Sequence, residues 1–226
     1  MLAAGRGSRM GRAKQLAELG GRPLLEHALA AMSAAPLDDL VVVLGAHAEE
    51  VLARVDLHRA RPLLVAGWEA GMGSVIAAAL AAVEVQGAAR GAGGWGAVVV
   101  ALGDQPLVGA AVVGRLVEAW RGGAGPVVGA AYHGRVGNPK LFDRAVVGRL
   151  GGLAGDEGAR GLLARHPEWV AAVEVGGLGS DLDVDDEADL ARAREVLAAR
   201  RRGRQVVGGR SDNPTDVADD GGGDRG

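Results

Sequence analysis

The first fourteen residues constrain the fold more than any other stretch, because an apolar strand end runs directly into a loop of glycines and basic side chains. Residues 1–4 are apolar, and glycines follow at positions 5, 7 and 11. Glycine allows successive backbone N–H groups to turn inward and form a concavity that binds anions. Positive charges surround this concavity at Arg6, Arg9, Arg12 and Lys14. The loop therefore predicts a phosphate-binding turn, and a triphosphate is its natural ligand.

Two common glycine motifs do not fit this loop. The dinucleotide fingerprint G-x-G-x-x-G requires a third glycine where Met10 stands, and its acidic residue about 20 positions later would be Glu26, inside a helical pattern. The P-loop pattern fails because neither Gly5 nor Gly7 is followed by Gly-Lys at the required spacing. A dinucleotide-dependent oxidoreductase is therefore disfavoured.

Strand-like and helix-like segments alternate along the chain. The apolar runs 40–44 and 97–102 are typical of strands buried on both faces. Helical spacing of apolar residues predicts helices at 24–34, 48–55, 75–85, 110–120 and 188–202. Alternation of this kind predicts a three-layer α/β/α sandwich with a mostly parallel (mixed) sheet. We expect one domain over residues 1–200 and a disordered tail over 203–226, where the periodicity is lost.

Single residues and short motifs predict further details of local structure. Ser74 is suited to cap the helix that follows it, and the Gly-Asn-Pro sequence at 137–139 predicts a turn. His27 and His47 are expected on helix surfaces or ends. Alternation would place residues 181, 183 and 185 on one face if their segment is a strand.

Composition excludes several classes of protein. The chain has no cysteine, so disulfides, thiolate metal sites and a cysteine nucleophile are excluded. A net charge of −3 and an aromatic content of 3% give no reason to expect a nucleic-acid partner. No signal peptide is visible, and the longest weakly polar run, 75–83, is too short to cross a bilayer. We therefore expect a soluble cytoplasmic protein without a membrane partner.

Carboxylates in two places predict a metal site. Asp104 comes two residues after the apolar run 97–102, at the edge where open α/β sheets bind ligands. Asp183 lies in a second acidic stretch, 181–189. Magnesium prefers one or two carboxylates together with phosphates and waters, so both aspartates are candidate ligands. Each also has a plainer alternative, a helix-initiating turn for Asp104 and an acidic helix N-terminus for the second stretch.

Lysine is rare in this sequence. The chain has 23 arginines, and its only lysines are Lys14 and Lys140. An ammonium group is a compact point charge, whereas a guanidinium group is a planar fork, so a retained lysine indicates a position that arginine would not fill. Chance is an equal explanation for Lys140.

The order of motifs resembles the MobA-like NTP transferases, and most closely the molybdenum cofactor cytidylyltransferases. The segments that carry this resemblance are Leu2 to Gly11 with Lys14, Gly71 to Ser74, Gly103 to Pro106, Gly137 to Phe142, Gly155 to Arg160, and Asp183 to Leu190. Together they span nearly the whole of residues 2–197. Their order is more specific than any single motif.

The resemblance implies a nucleotide-diphospho-sugar transferase-like fold and a role for each matching residue. The nucleotide would contact Leu2, Ala3, Ala4, Gly5, Gly7, Ser8, Arg9, Lys14, Gly71 and Ser74. The catalytic residues would be Lys14, Arg9 and Asp104, and the Mg²⁺ ligands would be Asp104 and Asp183. The acceptor would contact Asn138, Pro139, Asp156 and Arg160.

The implied activity is transfer of CMP from CTP to a phosphorylated acceptor, molybdopterin, with release of pyrophosphate. A molybdoenzyme apoprotein is the implied recipient of the product. GTP in place of CTP stays open, as does a sugar phosphate or phospholactate in place of molybdopterin, because the motifs do not separate these substrates. A noncatalytic nucleotide- or cofactor-binding chaperone is the remaining alternative, and the metal carboxylates disfavour it.

The sequence departs from the family pattern in two places. Asp186 and Glu187 stand where the family has Thr-Pro, which changes the turn there. Family members also carry more strand residues before the glycine loop, so the first strand is expected to be short and the sheet weaker. We expect a chain extended upstream of Met1 to be more stable, and equal melting temperatures for the two chains would contradict this.

Overall fold

The structure is a computed structural model that describes residues 1–89, 94–155 and 158–208. Nine strands and seven helices are defined in these ranges. The sequence predicted a disordered tail from residue 203, but residues 203–208 continue the last helix. The rest of that tail, residues 209–226, lies outside the described residues. Within the described ranges, no helix is long and apolar enough to cross a membrane.

The strands are short and follow the apolar runs of the sequence. In chain order they are β1 (Leu2–Ala3), β2 (Glu18–Leu19), β3 (Arg22–Pro23), β4 (Val41–Leu44), β5 (Arg61–Leu64), β6 (Ala97–Val100), β7 (Val127–Tyr132), β8 (Arg135–Asp143) and β9 (Val170–Glu174). The strands β2 and β3 form a small separate hairpin. The other seven build the main sheet.

The main sheet is joined through β1, the strand that leads into the glycine loop. On one side β1 pairs in parallel with β4, and β4 pairs in parallel with β5. On the other side the Leu2 N–H donates to the Ala101 carbonyl at 2.8 Å, and the Gly103 N–H donates to the Leu2 carbonyl at 2.8 Å. The order is therefore β5-β4-β1-β6-β8-β7-β9, in which β8 is antiparallel to both of its neighbours. This confirms the predicted mixed, mostly parallel sheet.

Helices cover both faces of the sheet. They are α1 (Leu24–Ser33), α2 (Ala48–Arg54), α3 (Met72–Ala89), α4 (Ala110–Arg121), α5 (Arg144–Gly151), α6 (Ala159–Arg165) and α7 (Glu187–Gly208). Side chains of β7 and β8 alternate between two cores: Val128 and Leu141 join α1, α2 and α4, whereas Val127 and Phe142 join α3, α5 and α6. The three-layer α/β/α sandwich is confirmed.

Three local predictions were wrong, and the condition of a fourth was not met. Helix α3 begins at Met72, so Ser74 is its third residue and not its cap. Residues 137–139 lie within β8, where the register with β7 shifts, and do not form a separate turn. His27 is 8% exposed because α1 buries it against the β2–β3 hairpin, where its Nε2 lies 2.6 Å from the Leu19 carbonyl. Residues 181–185 form a loop, so strand alternation does not order their side chains.

The N-terminal amino group lies inside the sheet. Met1 is 9% exposed, and its amino group donates to the Val41 carbonyl at 2.7 Å. Burial lowers the pKa of this amino group to about 5. The strand β1 has only two residues, in agreement with the short first strand expected from the sequence.

Candidate active site

A cleft of about 490 Å³ opens at the carboxyl ends of β1 and β6. This is where open α/β sheets bind ligands, and the volume suits a small molecule. Leu24 and three segments line it: residues 2–6 with Lys14 and Gln15, residues 68, 69, 71, 72 and 75, and residues 102–104. The predicted nucleotide-binding residues among the lining are Leu2, Ala3, Ala4, Gly5, Lys14 and Gly71.

The buried side chain of Gln15 holds the glycine loop in place through hydrogen bonds. Its side-chain amide donates to the Ala3 carbonyl at 2.9 Å and to the Gly5 carbonyl at 2.7 Å. The Gln15 side chain is buried, so these bonds are shielded from water. At Gly7, φ is +68°, and an added Cβ would lie 2.8 Å from the Arg12 carbonyl oxygen. Only glycine fits there, which holds the loop in its tight turn.

Lys14 is the cation at the mouth of the cleft. Its Nζ donates to Asp104 Oδ2 at 2.6 Å and to Asp185 Oδ1 at 2.9 Å, and its side chain is 14% exposed. Burial opposes the charge of Lys14, but the charges and hydrogen bonds of Asp104 and Asp185 outweigh it, so its pKa is raised. Lys14 therefore carries its positive charge into the cleft at neutral pH.

The acidic loop 181–185 approaches Asp104 at this edge. The Val184 N–H donates to the Asp104 carbonyl at 3.0 Å, which ties the loop 181–185 to the end of the β6 segment. The buried Gln105 amide donates to Asp183 Oδ1 at 2.9 Å. Desolvation and the negative charge of Asp104 raise the pKa of Asp183, although more than a third of that residue is exposed.

The arrangement of carboxylates fits a divalent cation that is shared with phosphates. Asp104 Oδ1 is buried and has no hydrogen-bond partner among the described residues, so its lone pairs are free to coordinate a cation. No cluster of three or more metal-ligating side chains forms in the described part of the chain. Magnesium is satisfied by one or two carboxylates completed by phosphate and water, whereas a structural zinc site would need a full protein cage.

Two other basic residues of the loop, Arg9 and Arg12, do not line the cleft. Arg9 pairs with Asp185 at 2.8 Å, with 73% of the Arg9 side chain exposed, so this contact contributes little stability. Gly7, Arg9 and Ser74 are not among the described residues that line the cleft. The side chain of Ser8 lies outside the described part of the chain.

Gly71 on the opposite wall of the cleft was anticipated from the sequence, but Trp68 on the same wall was not. Trp68 lines the cleft, and the Arg6 guanidinium lies 5.2 Å from its ring centroid. An added Cβ on Gly45 would lie 2.6 Å from the Trp68 ring, so Gly45 lets the ring approach the sheet. A flat aromatic group at this wall is suited to stack on a base. The sequence carried little sign of this role for Trp68, because the residue lies outside the periodic apolar patterns that mark helices and strands.

Three of the four predicted acceptor residues lie in β8 and α6. Asn138 and Pro139 lie in β8, and the Tyr132 hydroxyl donates to the Asn138 carbonyl at 3.0 Å. Arg160 lies exposed in α6. Asp156 lies outside the described residues.

A mixed three-layer sandwich with a glycine-rich, basic loop and facing carboxylates defines a nucleotide-binding α/β protein. The chain belongs to the MobA-like NTP transferase domain family, whose pattern matches residues 1–170. It is thus a member of a nucleotidyltransferase family, and its fold is that of the nucleotide-diphospho-sugar transferases.

Three relatives place the chain within this family. It is 33% identical to nicotine blue oxidoreductase of Paenarthrobacter nicotinovorans over 85% of this chain and 93% of that protein. It is 31% identical to 2-C-methyl-D-erythritol 4-phosphate cytidylyltransferase of Streptomyces coelicolor over 88% of this chain and 84% of that protein. Rv0371c of Mycobacterium tuberculosis, solved in complex with manganese, superposes with a TM-score of 0.70 at 31% identity, over 86% of this chain and 95% of that one.

Proposed function

We propose that this protein transfers CMP from CTP to a phosphorylated small-molecule acceptor, with molybdopterin as the favoured acceptor, and releases pyrophosphate. The observation that carries the proposal is the convergence of Lys14, Asp104 and Asp185 on the glycine loop at the mouth of the cleft. A cation, a metal-suited carboxylate and a phosphate-suited loop are the parts that nucleotidyl transfer requires.

The transfer needs no protein nucleophile. An oxygen of the acceptor phosphate attacks the α-phosphorus of CTP, and the bond from that phosphorus to the oxygen bridging to the β-phosphate breaks. Pyrophosphate leaves with the bonding electrons. The protein contributes by holding both phosphates in line and by stabilising the negative charge that develops on their oxygens.

Lys14 and the loop divide this work. The backbone N–H groups of the glycine loop bind the β- and γ-phosphates, and Lys14 Nζ donates to oxygens that gain charge as pyrophosphate leaves. Its contacts with Asp104 and Asp185 hold the ammonium in place before the substrate arrives. Gln15 keeps the carbonyls of Ala3 and Gly5 turned away from the phosphates.

Asp104 and Asp183 are the residues that would hold Mg²⁺. Asp104 Oδ1 is buried and has no hydrogen-bond partner in the described ranges, which supports this assignment, and the Gln105 amide orients the Asp183 carboxylate. When bound, the cation offsets phosphate charge and aligns the reacting groups. The manganese in the mycobacterial relative supports divalent metal binding in this fold.

The choice of CTP has support from one relative that is named a cytidylyltransferase. Trp68 and the exposed Glu69 line the wall at which the base would lie. An amino group on a base can donate to a carboxylate, which suits cytosine better than uracil. The acceptor phosphate would lie near Asn138 and Arg160.

Thermal shift with CTP, GTP, ATP and UTP, each with and without Mg²⁺, tests the donor. A nucleotide at about 100 times its Kd stabilises a protein by about 2.7 kcal/mol, roughly 5 to 11 °C in melting temperature for a chain of this size. We expect such a shift for CTP that is lost when EDTA replaces Mg²⁺. A GTP-only shift would contradict the choice of base, and the absence of any shift would contradict nucleotide binding.

A second candidate is redox chemistry, favoured by the similarity to a protein named nicotine blue oxidoreductase. The mismatch of Met10 with the dinucleotide fingerprint argues against a nicotinamide cofactor. NADH and NADPH added to the same thermal-shift series separate the two candidates. A shift with NAD(P)H but not with CTP would favour the redox reaction.

A further inference from the structure

Every backbone carbonyl from Leu2 to Gly7 has a hydrogen-bonding partner within the protein. The partners, in the order of the carbonyls, are the N–H of Gly103, the side chain of Gln15, the N–H of Ala46, Gln15 again, the ring of His47 and the N–H of Met10. A carbonyl oxygen carries partial negative charge and would repel a phosphate. Because each of these oxygens is already engaged, the backbone groups that the loop offers to a ligand are N–H donors.

His47 belongs to the turn between β4 and α2 and reaches the glycine loop through its ring. Its Nε2 lies 3.3 Å from the Arg6 carbonyl oxygen. A carbonyl oxygen can only accept a hydrogen bond, so Nε2 carries a hydrogen and donates it. The other ring nitrogen, Nδ1, lies 3.2 Å from Glu50 Oε1, and this second contact restricts rotation of the ring.

The backbone of His47 is left-handed, with φ +59°. Few residues other than glycine adopt this region, and they persist there when their surroundings hold them. The His47 side chain forms no capping hydrogen bond with α2. His58 is also left-handed, with φ +52°, but its contacts are with Asp56. The backbone alone therefore does not mark a functional residue, whereas the contact of His47 with the glycine loop distinguishes it.

The contact at the Arg6 carbonyl also orients the N–H of the next residue, Gly7. The two groups belong to one planar, trans peptide unit, in which C=O and N–H point in opposite directions. When His47 holds the carbonyl, the Gly7 N–H therefore points away from His47. In the described part of the chain, no protein group accepts a hydrogen bond from this N–H. It is available to a phosphate oxygen.

The turn that carries His47 also supports the wall at which the base would lie. An added Cβ on Gly45 would lie 2.6 Å from the Trp68 ring, so this ring packs directly on the turn. The Arg6 guanidinium lies 5.2 Å from the centroid of the same ring. Arg6 is thus held at its carbonyl by His47 and at its side chain by Trp68, which fixes the peptide that leads into Gly7.

We propose that His47 is a positioning residue for the triphosphate, because its hydrogen bond to the Arg6 carbonyl directs the Gly7 N–H toward the terminal phosphates of the nucleotide. This role rests on the proposed function, which places the triphosphate on the glycine loop. His47 acts through this peptide and not by contact with the reacting atoms. Without the ring, the peptide between Arg6 and Gly7 can rotate, so binding of ligands with a β-phosphate weakens while contacts with the base stay unchanged.

Pyrophosphate, CTP and CMP, each titrated calorimetrically with Mg²⁺ present, separate a phosphate effect from a general one. His47→Gly removes the ring and tolerates the left-handed backbone. It is expected to weaken pyrophosphate and CTP by about fivefold to tenfold, the size of one ordinary hydrogen bond. CMP lacks the β- and γ-phosphates, so its affinity should stay within about twofold. His47→Gln keeps an N–H donor at a similar reach and is expected to restore the parent affinities to within about twofold.

His58→Gly is the matched control. The His58 side chain is 28% exposed against 30% for His47, and each histidine has a carboxylate neighbour. Both substitutions also relieve the same left-handed backbone. We expect His58→Gly to leave the affinities for all three ligands within about twofold, since surface changes away from a site have small effects. The melting temperatures of the two glycine variants show whether the substitutions affect stability equally.

Two results would overturn the role of His47. One is an affinity for pyrophosphate in His47→Gly equal to that of the parent protein. The other is equal weakening of pyrophosphate and CMP, which would reduce the effect to the general shape of the cleft. Either result, obtained while the parent protein binds CTP, refutes the role of His47 alone. A parent protein that binds neither CTP nor pyrophosphate would refute the proposed function and this role together.

Discussion

Asp104→Asn is expected to lower the turnover of CTP with a phosphorylated acceptor by about a thousandfold or more. The substitution keeps the shape of the side chain but removes the charge that a divalent metal needs, and loss of metal stabilisation of several kcal/mol has an effect of this size. Lys14 also loses the negative charge of its 2.6 Å partner. Pyrophosphate release measures turnover, and the Mg²⁺-dependent part of the CTP thermal shift is expected to disappear with it.

Asp38→Asn is the matched control for this variant. Asp38 is an exposed aspartate just before β4, so the substitution makes the same change of charge away from the cleft. We expect its turnover to stay within about twofold of the parent protein. Turnover of the Asp104 variant in the same range would refute the metal role and would leave Asp104 as only a partner of Lys14.

Lys14→Met should reduce turnover by about a hundredfold to a thousandfold, the effect of removing one preorganised donor from a developing oxyanion. Methionine fills a similar volume without charge. Lys14→Arg is not expected to restore activity, because a guanidinium group does not fit the position between Asp104 and Asp185. Pyrophosphate release at saturating CTP measures the loss.

Stability gives an independent measure of the same variant. Without Lys14, the carboxylates of Asp104 and Asp185 repel each other, so the melting temperature is expected to fall in EDTA and to recover partly in Mg²⁺. Arg12→Gln removes a cation from the exposed part of the same loop and should change neither turnover nor the metal response more than about twofold. Comparable losses of turnover and of the Mg²⁺ response in both variants would show that activity depends on the total charge of the loop and not on the contacts of Lys14.

The sequence predicted the fold because its signals are local. Continuous apolar runs gave the central strands β4 and β6, and helical spacing gave helices such as α1 and α4 within a few residues of their observed bounds. Alternation of the two then limits the architecture to a layered α/β domain. The end of α7 was misjudged, since a helix of charged residues carries little apolar periodicity beyond residue 202.

The sequence predicted which residues form the candidate site, but it did not predict which of them contact each other. Lys14 and Asp104 were both candidates, and the structure brings them to 2.6 Å across 90 residues of sequence. Asp185 was not assigned to the metal, yet it is the second partner of Lys14. The role of Gln15 went unnoticed, because a glutamine beside a catalytic motif carries no distinguishing pattern until its contacts with the loop carbonyls are seen.

The sequence by itself determined the order of strands and helices, the anion-suited loop at the end of the first strand, and the absence of cysteine chemistry. These depend on residue type and spacing within about ten positions. Only the tertiary structure decided that His27 is buried, that residues 137–139 continue a strand, and that Lys14 meets Asp104 and Asp185. Such properties depend on neighbours distant in sequence, which folding brings within the few ångströms over which packing, hydrogen bonds and screened charges act.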